Sequence, residues 1–169
     1  MRLHLCLQRA VDHVLQYLRK QLLPQEQRDN IVSVLKGNGF DASAEYLSIN
    51  VALNRNKDVS PALMADNLYA LLQLIEGESI LGGNKPLIYC PPAFLDEHVA
   101  GDKHDFSQYS SWVAHWNVDQ SRIPKAWKDA GKTWSGWHYS SKGNVPGISG
   151  DVDLDYFQLQ YVDLNSPLD

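Results

Sequence analysis

TWSGWHYSSKGNVPGISGDVDLDYF, residues 133–157, is the stretch on which the reading of this chain turns. Two apolar-aromatic runs, Trp134–Ser140 and Val152–Phe157, flank a segment holding Gly143, Pro146, Gly147 and Gly150, residues that permit tight backbone turns. The spacing predicts a strand, a shaped loop and a second strand. In the second run Asp151, Asp153 and Asp155 alternate with Val152 and Leu154, which places the three carboxylates on one face of an extended segment. Like charges held that close oppose one another's ionisation unless a cation, a hydrogen-bond donor or a sugar engages them.

Working outward, the apolar period switches repeatedly between two and 3.6 residues. Residues 2–7, RLHLCL, predict a strand, and a helix runs from Gln8 to a stop before Pro24, carrying a surface His13. A second helix over Glu26–Lys36 ends at Gly37-Asn38-Gly39. Tyr46–Leu53 predicts a strand, and Ser60-Pro61 opens a helix to Gly77 with an apolar stripe of Leu63, Met64, Leu68, Leu71, Leu72 and Ile75. Further strands are predicted at Pro86–Cys90 and Ser111–Trp116, with a short helix at Phe94–His98 between them and a Pro-containing segment at Ile123–Trp127 after them. Strands alternating with helices predict an α/β fold in which Tyr46–Leu53 lies beside Pro86–Cys90 in a mostly parallel sheet. The run PLIYC is then expected to be buried.

At 169 residues, 44% hydrophobic, the chain fits a single globular domain spanning 1–169. A formal net charge of −5 excludes the basic stripe of a nucleic-acid surface. No apolar run approaches the roughly 18 residues that cross a bilayer, and MRLHLCLQRA is too short and too soon polar for a signal peptide, so the expected location is cytoplasmic or reached by a non-classical route. Cys6 and Cys90 sit in apolar runs and read as buried thiols. Glu97, His98, His104 and Asp105 match no ligand spacing, so neither a metal nor a cofactor is expected.

Three blocks of the opening stretch carry a family resemblance: Trp137-His138-Tyr139-Ser140, Val145-Pro146-Gly147-Ile148, and Val152-Asp153-Leu154-Asp155-Tyr156-Phe157. Together they resemble the carboxy-terminal signature of family 25 glycoside hydrolases, muramidases that cut the glycan of bacterial peptidoglycan. The family pattern has Gln where this chain has His138, and Asn where it has Asp155. PLIYC and SWVAHW are similar to the family's fifth and sixth strands. The resemblance implies a (β/α) TIM-like barrel, incomplete here, with about six strands corresponding to the third to eighth and none for the first two. An open barrel exposes strand edges, which invites repacking, self-association or another protein chain.

The resemblance also implies a site at the carboxyl ends of the strands. There the family's Asp-Xaa-Glu falls on Ser48-Ile49-Asn50, so both carboxylates are replaced by neutral side chains, while Asp153 is retained. Candidate glycan contacts are Tyr89, Trp112, Trp116, Trp137, Tyr139 and Asp151, since aromatic faces stack on sugar rings and polar neighbours pair with hydroxyls. Trp112, Trp116 and Trp137 serve equally well as stacking platforms or as core; Trp127, in a helical segment, reads as core. Glycoside hydrolysis needs a positioned acid and a second carboxylate or its equivalent. The expectation is therefore a relative that keeps the groove and binds peptidoglycan glycan or a protein partner with impaired catalysis. The alternative is an active lysozyme in which Asp153 works with a neighbouring carboxylate such as Glu45 or Asp151.

Overall fold

The computed structural model describes residues 24–51, 59–99 and 102–158. The strand expected at 2–7, the helix after it, His13 and Cys6 lie outside the described residues. Among those described, helices and strands alternate as α1 (Pro24–Gly37), β1 (Ser48–Asn50), α2 (Pro61–Glu76), β2 (Leu87–Cys90), α3 (Pro92–His98), β3 (Ser111–Ala114), α4 (Lys125–Asp129), β4 (Gly136–Gly143) and β5 (Val152–Phe157). The strands form one sheet in the order β1-β2-β3-β4-β5. None of the described helices is long and apolar enough to cross a membrane.

Helix α2 starts where its sequence dictates. The Ser60 hydroxyl accepts a hydrogen bond from the Leu63 amide, and Pro61 fills a position whose N–H has no helical partner. Its stripe of Met64, Leu68, Leu71, Leu72 and Ile75 is buried against Leu47, Ile49, Val51, Ile88 and Cys90 of the first two strands and their flanks, with Ile31 and Leu35 of α1 in the same cluster. Leu63, read as part of that stripe, is instead about half exposed. At about 100° per residue it falls outside the arc of Met64, Leu68 and Ile75, and so faces away from the sheet although Met64 beside it is buried.

The strands β1 to β4 pair in parallel, with Asn50 opposite Tyr89, Tyr89 opposite Trp112, and Ala114 opposite His138. All four residues of β2 are buried, because one face meets the helices and the other meets a second, aromatic cluster of Leu87, Tyr89 and Trp112 backed by Tyr46, Ala114 and Phe157. Burial pushes the Cys90 thiol far above its ordinary range, so it behaves as an inert packing group.

The described sheet has five strands and is not closed, and its last strand runs antiparallel to its neighbour. The reason lies in the connection. A parallel return needs a crossover of about a dozen residues or more, and the segment from Gly143 to Val152 is shorter than that, so the chain folds back as a hairpin. Gly147 and Gly150 adopt positive φ in that turn (89° and 92°), the conformation that favours glycine.

The register of the hairpin slips between His138 and Ser140, and again between Ser140 and Gly143. Such bulges re-aim side chains. Gly143, read from sequence as a turn residue, is in fact the last residue of β4, where a Cβ would come within 2.4 Å of Leu154.

Candidate active site

The side chains of Asn50, Tyr89, Ala114 and His138 share one face of the sheet at the carboxyl ends of β1 to β4, which is where parallel strands present ligand-binding groups. With Pro91, Trp116, Ser141 and Asp153 they line a cavity of about 340 Å³. The antiparallel β5 delivers Asp153 to this cavity from the opposite direction.

His138 is the hub of the site. It is 3% exposed, and its Nε2 lies 3.1 Å from the Ser140 carbonyl and 3.4 Å from Asp153 Oδ1. Both of those groups accept, so Nε2 carries the hydrogen. On the other side of the ring, Nδ1 is 2.8 Å from the Tyr89 hydroxyl. In the neutral imidazole Nδ1 therefore accepts, and the Tyr89 O–H donates to it. The edge of the Trp116 ring completes the surround, with centroids 5.4 Å apart.

The three carboxylates of the opening stretch have separate fates. Asp155 accepts a 2.8 Å hydrogen bond from Trp112 Nε1 in the floor beneath the cavity. Asp153 faces His138, and Asp151 is exposed and does not line the cavity. The repulsion expected of an aligned row is thus relieved by one indole donor, one imidazole and solvent.

Of the predicted contacts, Tyr89 and Trp116 line the cavity. Trp112 is 8% exposed and packs edge-on against Tyr89 below it. Trp137 and Tyr139 project to the opposite face of β4. There Trp137 donates from Nε1 to the His115 carbonyl at 2.8 Å, and the Tyr139 ring stacks on Tyr156 at 4.5 Å. Burial, and then Tyr156, push the Tyr139 phenol up, which keeps it neutral. Neither residue lines the cavity.

Ser48 is buried beneath the cavity, while Asn50 lines it. Glu45 accepts from the Asp41 amide at 2.9 Å in the loop that enters β1, at the end of the strand away from the cavity. No group of three or more His, Cys, Asp or Glu side chains among the described residues is arranged to hold a metal ion. His104 is instead bonded to Asp66 and stacked on Tyr69 at 4.3 Å, and Asp105 caps the turn at Ser107.

His138 was not among the residues singled out from the sequence as site candidates. The signal for it was present, since strand alternation from Gly136 puts position 138 on the same face as the groove floor.

An open α/β sheet with an aromatic-lined cavity at the carboxyl ends of its parallel strands, holding a carboxylate and a buried imidazole, has the architecture of a ligand-binding site. The model for glycosyl hydrolases family 25 matches residues 7–148, and the chain belongs to that family. The uncharacterized protein YegX of Escherichia coli strain K12 is 34% identical over 87 residues, 52% of this chain and 29% of that protein. Lysozyme M1 of Streptomyces globisporus is 46% identical over 46 residues, 27% of this chain and 14% of that protein. The chain thus spans less than a third of the length of these curated relatives. The structure of a family GH25 lysozyme from Aspergillus fumigatus superimposes with a TM-score of 0.60 at 16% identity, covering 92% of this chain and 79% of that one.

Proposed function

We propose that this chain binds the glycan of peptidoglycan in the cavity lined by Asn50, Tyr89, Trp116 and Asp153, with glycosidic turnover lost or strongly reduced. The observation that carries this reading is the composition of the cavity wall, in which Asp153 is the one carboxylate among the described residues. Family 25 membership supplies the substrate class. The fold likeness to lysozyme structures supports treating the five-stranded sheet as the larger part of an incomplete (β/α) barrel wall.

Carboxylate-pair glycosidases work with a general acid and a second carboxylate at a separation of about 5 to 9.5 Å. Here Asn50 offers an amide that holds a sugar hydroxyl but neither gives nor stores a proton at neutral pH. Asp155 is engaged by Trp112, Asp151 stands outside the cavity, and Glu45 is at the wrong end of β1. Among the described residues, the group nearest Asp153 for an active alternative is His138, 3.4 Å away.

Trp116 gives the binding half of the reading its test. Its ring is 48% exposed on the cavity wall, and a sugar face stacked on it would exclude that surface from water. Trp116→Ala is expected to lower retention on insoluble peptidoglycan by about tenfold, the scale of 1 to 1.5 kcal/mol for one aromatic contact, with the thermal midpoint nearly unchanged. Retention equal to wild type in a pelleting assay would show that this wall does not hold the glycan.

A further inference from the structure

We infer that His138 is a positioning residue that makes ligand binding in this groove depend on pH, by reversing the hydrogen bond to Tyr89 and by cancelling the charge of Asp153. The inference rests on the binding role proposed above and adds its regulation.

The backbone carbonyl of Ser140 can only accept, so the hydrogen on Nε2 is present whether the ring is neutral or protonated. A second ring proton therefore sits on Nδ1, the atom 2.8 Å from the Tyr89 hydroxyl. When Nδ1 is bare, Tyr89 must donate to it, and what the hydroxyl offers elsewhere is a lone pair. When Nδ1 carries a proton it donates, Tyr89 accepts, and the phenolic hydrogen goes to another acceptor. One proton thus changes the hydrogen-bonding character of a residue on the cavity wall.

The same proton changes the charge of the groove. The groups facing His138 are Tyr89 from β2, Asp153 and Asp155 from β5, Trp116 beyond β3, and Asn50 across the cavity from β1. Among the described residues the carboxyl groups in this set are Asp153 and Asp155, and Asp155 is tied to Trp112. With a neutral imidazole beside it, the Asp153 carboxylate disfavours an approaching carboxylate. With an imidazolium beside Asp153 it is balanced. Ligands bearing carbonyl acceptors and carboxylates, as peptidoglycan does in its acetamido, lactyl and peptide groups, are favoured by both changes.

The experiment compares wild type with His138→Gln between about pH 5 and pH 8. Glutamine keeps a donor toward Ser140 and an acceptor toward Tyr89, and cannot titrate. Retention of wild type on purified insoluble peptidoglycan is expected to rise about three- to tenfold from pH 8 to pH 5, the weight of one hydrogen bond or one screened charge, while the variant stays flat. Because both proteins meet the same polymer, titration of the polymer itself cancels in the comparison.

A parallel readout needs no ligand: ring resonances of Tyr89 followed by NMR should move with the same midpoint as those of His138, and should lose that transition in His138→Gln. Identical retention profiles for the two proteins, or a Tyr89 signal that ignores His138, overturns the inference. Coupled resonances without retention at any pH would overturn the peptidoglycan reading and leave the His138–Tyr89 switch standing.

Discussion

Wild-type protein incubated with purified peptidoglycan is expected to release no reducing ends above the level of an Asp153→Asn control. Each missing proton-handling group costs about 10² to 10⁴ in rate, and the family resemblance places two of them at Ser48 and Asn50, which share one face of β1. The imidazole of His138 does not replace them in its present state. Its Nε2 hydrogen is committed to Ser140 and Asp153, and its Nδ1 is covered by the Tyr89 hydroxyl. A proton entering or leaving the ring must therefore pass through one of those partners. Turnover that is clear in wild type and vanishes in Asp153→Asn would show that the Asp153–His138 pair performs the chemistry, and the non-catalytic reading would be wrong. A matching loss in His138→Gln would then assign the second role.

The second large effect concerns stability. Trp127→Ala is expected to lower the unfolding free energy by about 3 to 5 kcal/mol, measured by denaturant titration, because it empties an aromatic site in the main core. Trp127 is 2% exposed and donates from Nε1 to the Tyr109 carbonyl at 2.8 Å. Truncation therefore leaves both a cavity and a buried carbonyl without its donor. The Tyr109 it supports is itself held at the hydroxyl, accepting from Gln73 at 2.7 Å and donating to Glu76 at 3.0 Å, so the loss reaches α2. A change below about 1 kcal/mol would mean that the site collapses around the gap, the least costly end of such truncations. Trp116→Ala, half exposed at the groove, provides the contrast expected to stay within about 0.5 kcal/mol.

These two tryptophans show how far sequence reached. Both lie in the aromatic-rich part of the chain, and composition treats them alike. Trp127 was legible as core because it follows Pro124 at the start of a helical turn that must pack one face. For Trp112, Trp116 and Trp137 the sequence left stacking and packing open, and the structure gave each a different place. Trp112 lies in the floor, tied to Asp155; Trp116 stands on the wall; Trp137 is on the far face, tied to His115. Alternation along a strand fixes which residues share a face, but not how high on that face each one stands or what covers it.

What the sequence determined by itself is the local grammar and the family. The cap at Ser60-Pro61, the buried run of β2, the adjacency of β1 and β2 and the hairpin-forming glycines are short-range consequences of period, propensity and turn chemistry. The direction of β5 also follows from the sequence, whose connection after Gly143 is too short to cross over, and the tertiary structure decided how that hairpin is registered. It alone decided the partners of the three aspartates, because the bulges in β4 shift the register that alternation assumes. And it alone brought Tyr89, His138 and Asp153 together from three strands across a sequence separation that no local pattern spans.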